Sequence, residues 1–307
     1  MISVTGLRKA YGDHTVLAGI DLEVPPGSVF ALLGPNGAGK TTTVAILTTL
    51  VRPDAGEIRV AGHDVRTEPD AVRAAIGVTG QFAAVDGLLT GEENLMLMAD
   101  LHHLPRREGR RRAAELLEVF DLADAARKPA ATLSGGMRRR LDIAMGLVGT
   151  PRIVFLDEPT TGLDPRSRRA MWDTIRGLAA GGATVFLTTQ YLEEADQLAD
   201  RIAVLHGGRI VADGTAQQLK RLVPGGHVTL TFTGSPQLHA AARALGMPVP
   251  DDGLTLDVPG DGSVQNLRML LTTLDEATVD IDALTVHTPD LDDVFLALTA
   301  TTKEPVR

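Results

Sequence analysis

Short, uninterrupted apolar runs recur through the first two-thirds of the chain. The clearest are "SVFALLG" (28–34), "RIVFLDE" (152–158) and "GATVFLTT" (182–189). A run of this length without polar alternation is what a strand covered on both faces needs, as in a parallel sheet. Segments with helical spacing lie between them: "KTTTVAILTTL" (40–50) and "DPRSRRAMWDTIRGLAAGG" (164–182), the second ending in a glycine stop signal. The alternation predicts an α/β unit with a parallel sheet and helices on both faces. The stretch from about 82 to 149 interrupts it and reads as a helical insert, with "TGEENLMLMADLHHL" (90–104) and "GRRRAAELLEVFDL" (109–122) as its main pieces. "RIAVLHGGRIVADG" (201–214) reads as two strands around a Gly-Gly turn. Thr215 and Gln218 then form a capping-box pattern for a last helix.

After "VPGG" (223–226) the periodicity changes. Six segments read as strand, helix, strand, helix, strand, helix, which predicts a small α+β unit of ferredoxin-like outline. The expected division is 1–222 and 223–307, with the final "TTKEPVR" frayed.

Composition narrows the function classes. A net charge of −9 argues against general nucleic-acid affinity, so the basic runs "RREGRRR" (106–112) and "RRR" (138–140) read as solvated helix faces. With no cysteine, disulfides and thiolate metal sites are excluded, and His102–His103 read as surface residues rather than metal ligands. The N-terminus lacks a signal-peptide core, and no segment approaches the roughly 18–20 apolar residues of a membrane helix. A membrane role is expected to need a partner.

"GPNGAGKTT" (34–42) carries the chemistry. Gly34, Pro35, Asn36, Gly37, Ala38, Gly39, Lys40, Thr41 and Thr42 fit G-x-x-x-x-G-K-[ST] between a predicted strand and a predicted helix. The glycines let backbone N–H groups approach phosphate oxygens, and the helix start adds partial positive charge. Lys40 is placed to reach the β- and γ-phosphates, and the Thr41 hydroxyl to ligate Mg²⁺. In "IVFLDEPTTGLD" (153–164) an apolar run leads into two adjacent acids, which point to opposite faces. Asp157 is predicted to hold Mg²⁺ through water and Glu158 to polarise the attacking water. "LSGGM" (133–137) offers a second anion site at a helix start near Arg138, with Ser134 as an N-cap type and Gly135 and Gly136 permitting close approach.

The order of phosphate loop, "LSGG" and "FLDEPTTGLD" resembles the nucleotide-binding subunits of ABC transporters over about residues 1–222. The resemblance implies a P-loop NTPase with a helical subdomain, binding ATP and Mg²⁺. It also implies a homodimer in which one copy's Ser134–Gly136 closes the ATP on the other's loop. Tyr11 matches the aromatic that stacks on adenine, Gln81 the glutamine that senses Mg²⁺ and water, and Asp164 the acid at the dimer seam. Met137 departs from the commoner glutamine, and Gln190 stands where a histidine is usual. Glutamine cannot transfer a proton but can supply a hydrogen bond. Hydrolysis is therefore expected to rest on Glu158, with Gln190 holding geometry. The stretches "GQFAAVDGLLTGEENL" (80–95), "LTTQYLEEADQLADRI" (187–202) and "DLDDVFLALT" (290–299) narrow the resemblance to the ATPase subunits of daunorubicin/doxorubicin-resistance exporters. These imply a separate ABC-2 type permease, peripheral attachment at the cytoplasmic face of the cell membrane, no nucleic-acid partner, and efflux of a lipophilic antibiotic. A lipid or polysaccharide precursor, or a non-transport ABC ATPase, is the alternative.

Overall fold

The computed structural model describes residues 1–81, 84–222, 226–250, 253–260, 262–287 and 290–300. The expected start of the insert at 82, the junction at 223 and the frayed end at 301–307 fall outside them. The chain divides into two compact units, Met1–Ala216 and Gln217–Arg307.

The first unit opens with β1 (Ile2–Tyr11), β2 (His14–Val24) and β3 (Val29–Leu33). There follow α1 (Lys40–Leu47), β4 (Ala55–Val60), β5 (His63–Asp64), α2 (Pro69–Ala75) and β6 (Ile76–Thr79). The insert comprises α3 (Gly91–Leu101), α4 (Arg106–Val119) and α5 (Gly135–Gly146). The unit closes with β7 (Ile153–Asp157), α6 (Pro165–Ala180), β8 (Thr184–Thr189), α7 (Leu192–Leu198), β9 (Arg201–His206) and β10 (Arg209–Gly214). A short helix, α8 (Ala216–Lys220), spans the division between the units.

A six-stranded sheet runs in the order β10-β9-β3-β8-β7-β6, parallel except for β10. Every residue of β3, β7 and β8 is buried, which is why these strands read as continuous apolar runs. A second sheet, β2-β1-β4-β5, is antiparallel and was not legible as a sheet from the hydrophobic pattern. Both sheets contribute to one core, with Ile2, Val4 and Leu7 from one joining Phe30, Phe155 and Phe186 from the other. The helix after the phosphate loop ends at Leu47 rather than 50. Thr49 has a φ of +66°, a left-handed backbone that stops it.

The second unit contains β11 (His227–Thr231), α9 (Ser235–Ala244), β12 (Thr255–Pro259), α10 (Val264–Glu276), β13 (Ala283–His287) and α11 (Leu291–Ala300). Its sheet order is β12-β11-β13, antiparallel throughout, over a core that includes Val228, Leu230 and Leu238. A ferredoxin-like unit runs β-α-β-β-α-β with four strands. This one alternates strand and helix with three strands among the described residues, so it is α+β with a different topology.

Candidate nucleotide site

In the parallel sheet, Leu33 pairs with Thr189 and Asp157 with Thr188. The carboxyl ends of β3, β8 and β7 therefore share one edge, where open α/β sheets bind ligands. Three loops are fixed there by backbone bonds. Gly34 N donates to Thr189 O (3.1 Å), and Glu158 N donates to Thr188 O (3.2 Å) and to Thr188 Oγ1 (3.1 Å).

The phosphate loop needs glycine at particular places. A Cβ at Gly34 would meet Leu205 O at 2.3 Å, which is backbone and cannot yield. Gly39 has a φ of +108°, and a Cβ there would lie 2.7 Å from Leu17 Cδ2. Lys40, the first residue of α1, is buried. Its Nζ donates to Gly34 O (2.8 Å) and Pro35 O (3.2 Å) and lies 3.4 Å from Glu158 Oε1.

Asp157 and Glu158 do face different surroundings. Asp157 is buried, and its Oδ1 accepts from Thr188 Oγ1. Glu158 leaves the strand in the left-handed region, φ +48°, a conformation uncommon for glutamate and a mark of local strain. Its Oε2 accepts from Thr161 Oγ1 (3.2 Å), while Oε1 faces Lys40. A cavity of about 430 Å³ is lined by His14, Val16, Asn36, Gly37, Gly39, Lys40, Thr41, Thr42, Gln81 and Glu158. The Thr41 hydroxyl and the Gln81 amide oxygen give it hard oxygen donors beside an ammonium, a set that fits Mg²⁺ with phosphate, while Asp157, the acid predicted to hold Mg²⁺, lies outside this lining.

Other predicted residues lie outside that lining. Gln190 is half-buried, one residue past Thr189 at the same sheet edge. Tyr11, at the end of β1, is 52% exposed, with Lys9 Nζ 5.2 Å from its ring centroid. Ser134 caps α5, its Oγ accepting from Met137 N, so the helix begins at Gly135 rather than near Arg138. Gly136 abuts Ser167, where a Cβ would come within 2.7 Å of Oγ. Asp164 caps α6 by accepting from Arg166 N and Ser167 N (3.0 Å each) and from Ser167 Oγ. The hydrogen bond from the Ser167 hydroxyl is the main cause that holds its carboxyl below the usual range. Gly135 lines a second cavity of about 170 Å³ with Arg139 and Thr161, and Gln81 and Glu158 line both cavities.

Sequence reasoning missed His14 and Val16, which line the main cavity, and it misread Arg139. The "RRR" run is not uniformly a solvated face, because Arg139 is buried and donates to three backbone carbonyls and Asp142. The available signal was the acid three residues later on the same helix face, flanked at four-residue steps by Gly135 and Gly146.

The model of the ABC transporter family matches residues 17–161, which include the loop, "LSGG" and "LDEP". The chain is 52% identical to the daunorubicin resistance ATP-binding protein DrrA3 of Streptomyces coeruleorubidus over 97% of this chain and 95% of that one. It is 47% identical to the daunorubicin/doxorubicin resistance ATP-binding protein DrrA of Streptomyces peucetius, over 97% and 92%.

The chain belongs to the ATP-binding proteins of the ABC transporter family. A solved dimeric ATP-binding cassette in a post-hydrolysis state with ADP and Pi superposes with a TM-score of 0.63 at 27% identity, covering 70% of this chain and 98% of that one. As an ABC protein the chain is an ATPase. Among the described residues, no helix is long and apolar enough to cross a membrane.

Proposed function

We propose that this ABC ATPase drives a separate membrane permease that expels a lipophilic antibiotic. In this reading Tyr11 stacks on adenine. The loop from Gly34 to Thr42 holds the phosphates, with Lys40 at the β- and γ-phosphates. Thr41, Gln81 and Asp157 hold Mg²⁺, which when bound offsets phosphate charge. Glu158 orients and polarises the attacking water, and Gln190 hydrogen-bonds near the γ-phosphate. Two copies pair head to tail, so Ser134, Gly135 and Gly136 of one close the ATP on the other, with Asp164 at the seam. The permease is of the ABC-2 type and seats the chain at the cytoplasmic face of the membrane. The helical insert delivers the push. Residues 223–307 form an accessory unit that supports dimerisation or regulation.

One observation carries the catalytic part: Glu158, in a left-handed turn, directs its carboxylate to within 3.4 Å of the loop lysine, in the cavity that Thr41 and Gln81 also line. The transport part rests on the daunorubicin-resistance relatives, which align with almost all of this chain. The dimer is supported by the paired, ADP-bound cassette it resembles.

Glu158→Gln tests the reading. It keeps shape and hydrogen bonding and removes the base. Steady-state ATP hydrolysis should fall by about 10²–10⁴-fold, while ATP binding persists and the closed dimer accumulates on size exclusion. In cells that carry the permease, the same substitution should abolish drug resistance. Wild-type turnover in the purified variant would remove Glu158 from the mechanism.

A further inference from the structure

Three backbone carbonyls converge on one buried guanidinium. Arg139 Nη1 donates to Gly80 O (2.7 Å), Nη2 to Asp157 O (2.9 Å) and Nε to Pro159 O (3.2 Å). Nη1 also donates to Asp142 Oδ2 (3.1 Å), one turn along α5. The other Asp142 oxygen, Oδ1, accepts from Ala84 N (2.9 Å). Gly80 precedes Gln81 and Ala84 lies three residues after it, so the Arg139–Asp142 pair holds the Gln81 segment on both sides. Asp157 and Pro159 are the two neighbours of Glu158, so the same arginine brackets that residue too.

The pair belongs to the helix that Ser134 caps and Gly135 opens. At its far end α5 is seated directly on the sheet, since a Cβ at Gly77 would lie 2.3 Å from Gly146 O. Arg139 joins the opposite end of the helix to the segments around Gln81 and Glu158. Burial is the main cause pushing the Asp142 carboxyl up, opposed by the Ala84 N–H and by Arg139. Burial likewise lowers Arg139, opposed first by Asp142. Each partner thus offsets the other's desolvation, and neither is expendable alone.

We propose that Arg139, aimed by Asp142, is a positioning residue. It sets Gln81 and Glu158 in one register and links that register to the position of α5. A shift of α5 against the sheet then moves both groups at once. This rests on reading Gln81 and Glu158 as parts of the nucleotide site. Arginine suits the task because its planar fork presents donors in several fixed directions, whereas lysine offers one point charge.

The test is Arg139→Lys, alone and combined with Gln81→Ala, in the full-length protein. Arg139→Lys should lower kcat by about 10–100-fold, the scale expected of ångström misplacement. The ATP dissociation constant should stay within about twofold, since the phosphate loop is held by other contacts. Below Gln81→Ala alone, the double variant should fall by a clearly smaller factor, because one of the two positioned groups is already gone. A kcat within about twofold of wild type, or effects that simply multiply, would overturn the proposal. Should Arg139→Lys lack the wild-type melting transition, Asp142→Asn carries the same cycle. If both unfold, the pair is fold support and the proposal fails. Glu158→Gln measured alongside separates the two ideas: an active Glu158→Gln removes the catalytic reading, whereas an inactive one beside a normal Arg139→Lys removes only the positioning role.

Discussion

Gln190, an amide that does not titrate, sits one residue past β8 at the sheet edge that also holds the phosphate loop. The backbone around that residue is set by the same bonds that set the phosphate loop, because the Thr189 carbonyl next to it accepts from Gly34 N. An amide at this place can donate to phosphate but cannot carry a proton. Gln190→Ala should therefore lose about tenfold or more in kcat, the size of one hydrogen bond to a charged group. Gln190→His should keep much of the rate. Steady-state ATPase assays of both variants decide it, and a normal Gln190→Ala would make the residue a bystander. The loop itself was legible residue by residue, since close backbone approach admits so few residue types at positions 34 and 39. Glu158 was legible as an acid beside Asp157. Its left-handed turn was not, because glutamate has no sequence signature for a φ of +48° that the Thr188 contacts impose.

Among elements, those covered on both faces were easiest to read. β3, β7 and β8 are buried throughout and appear in the sequence as unbroken apolar runs. β1 and β2 are only partly buried, with steps of three between Val4 and Leu7 and between Leu17 and Ile20, and their pairing is irregular, with register shifts after Val4, Leu7 and Lys9, so no strict period of two survives. Tertiary pairing also hid inside helical patterns. Glu194 of α7 reads as one member of an acidic helix face, yet it is fully buried, and its Oε1 accepts from Trp172 Nε1 of α6 (3.3 Å). Burial raises its carboxyl above the ordinary 4.5, against the opposing pull of Thr189, Thr160 and Trp172. The folded state thus holds this proton to higher pH than the unfolded chain does. The stability it gives is fully present below the unfolded value and is lost as pH rises through the folded one. Glu194→Gln keeps an acceptor for Trp172 and removes that loss. Thermal melts across pH should show the variant gaining on wild type as pH rises above about 4.5, with about 2–4 °C for each kcal/mol in a unit of this size. A constant difference at all pH values would show that Glu194 does not titrate in this interval.

For the molecule as a whole, the proposed pairing of one copy's phosphate loop with another copy's "LSGG" sets how turnover should depend on concentration. Within one chain, neither Ser134 nor Gly136 lines the cavity of Lys40, Thr41 and Glu158, and Gly136 packs against Ser167 instead. Gly135 of "LSGG" shares a cavity with Gln81 and Glu158, but that cavity does not include Lys40 or Thr41. In the proposed reading, a second copy turned head to tail brings each loop opposite the other's complement, and the isologous geometry builds two equal sites at once. In that reading closure is a bimolecular step, and with no permease to hold two copies together it should limit the rate. Turnover per chain should accordingly rise with protein concentration, approach a plateau, and fall again on dilution at constant ATP. The midpoint should move to lower concentration in Glu158→Gln binding assays, where bound ATP holds the pair closed. Each copy alone would be a complete enzyme if turnover per chain stayed flat across the range in which sedimentation shows monomer giving way to dimer.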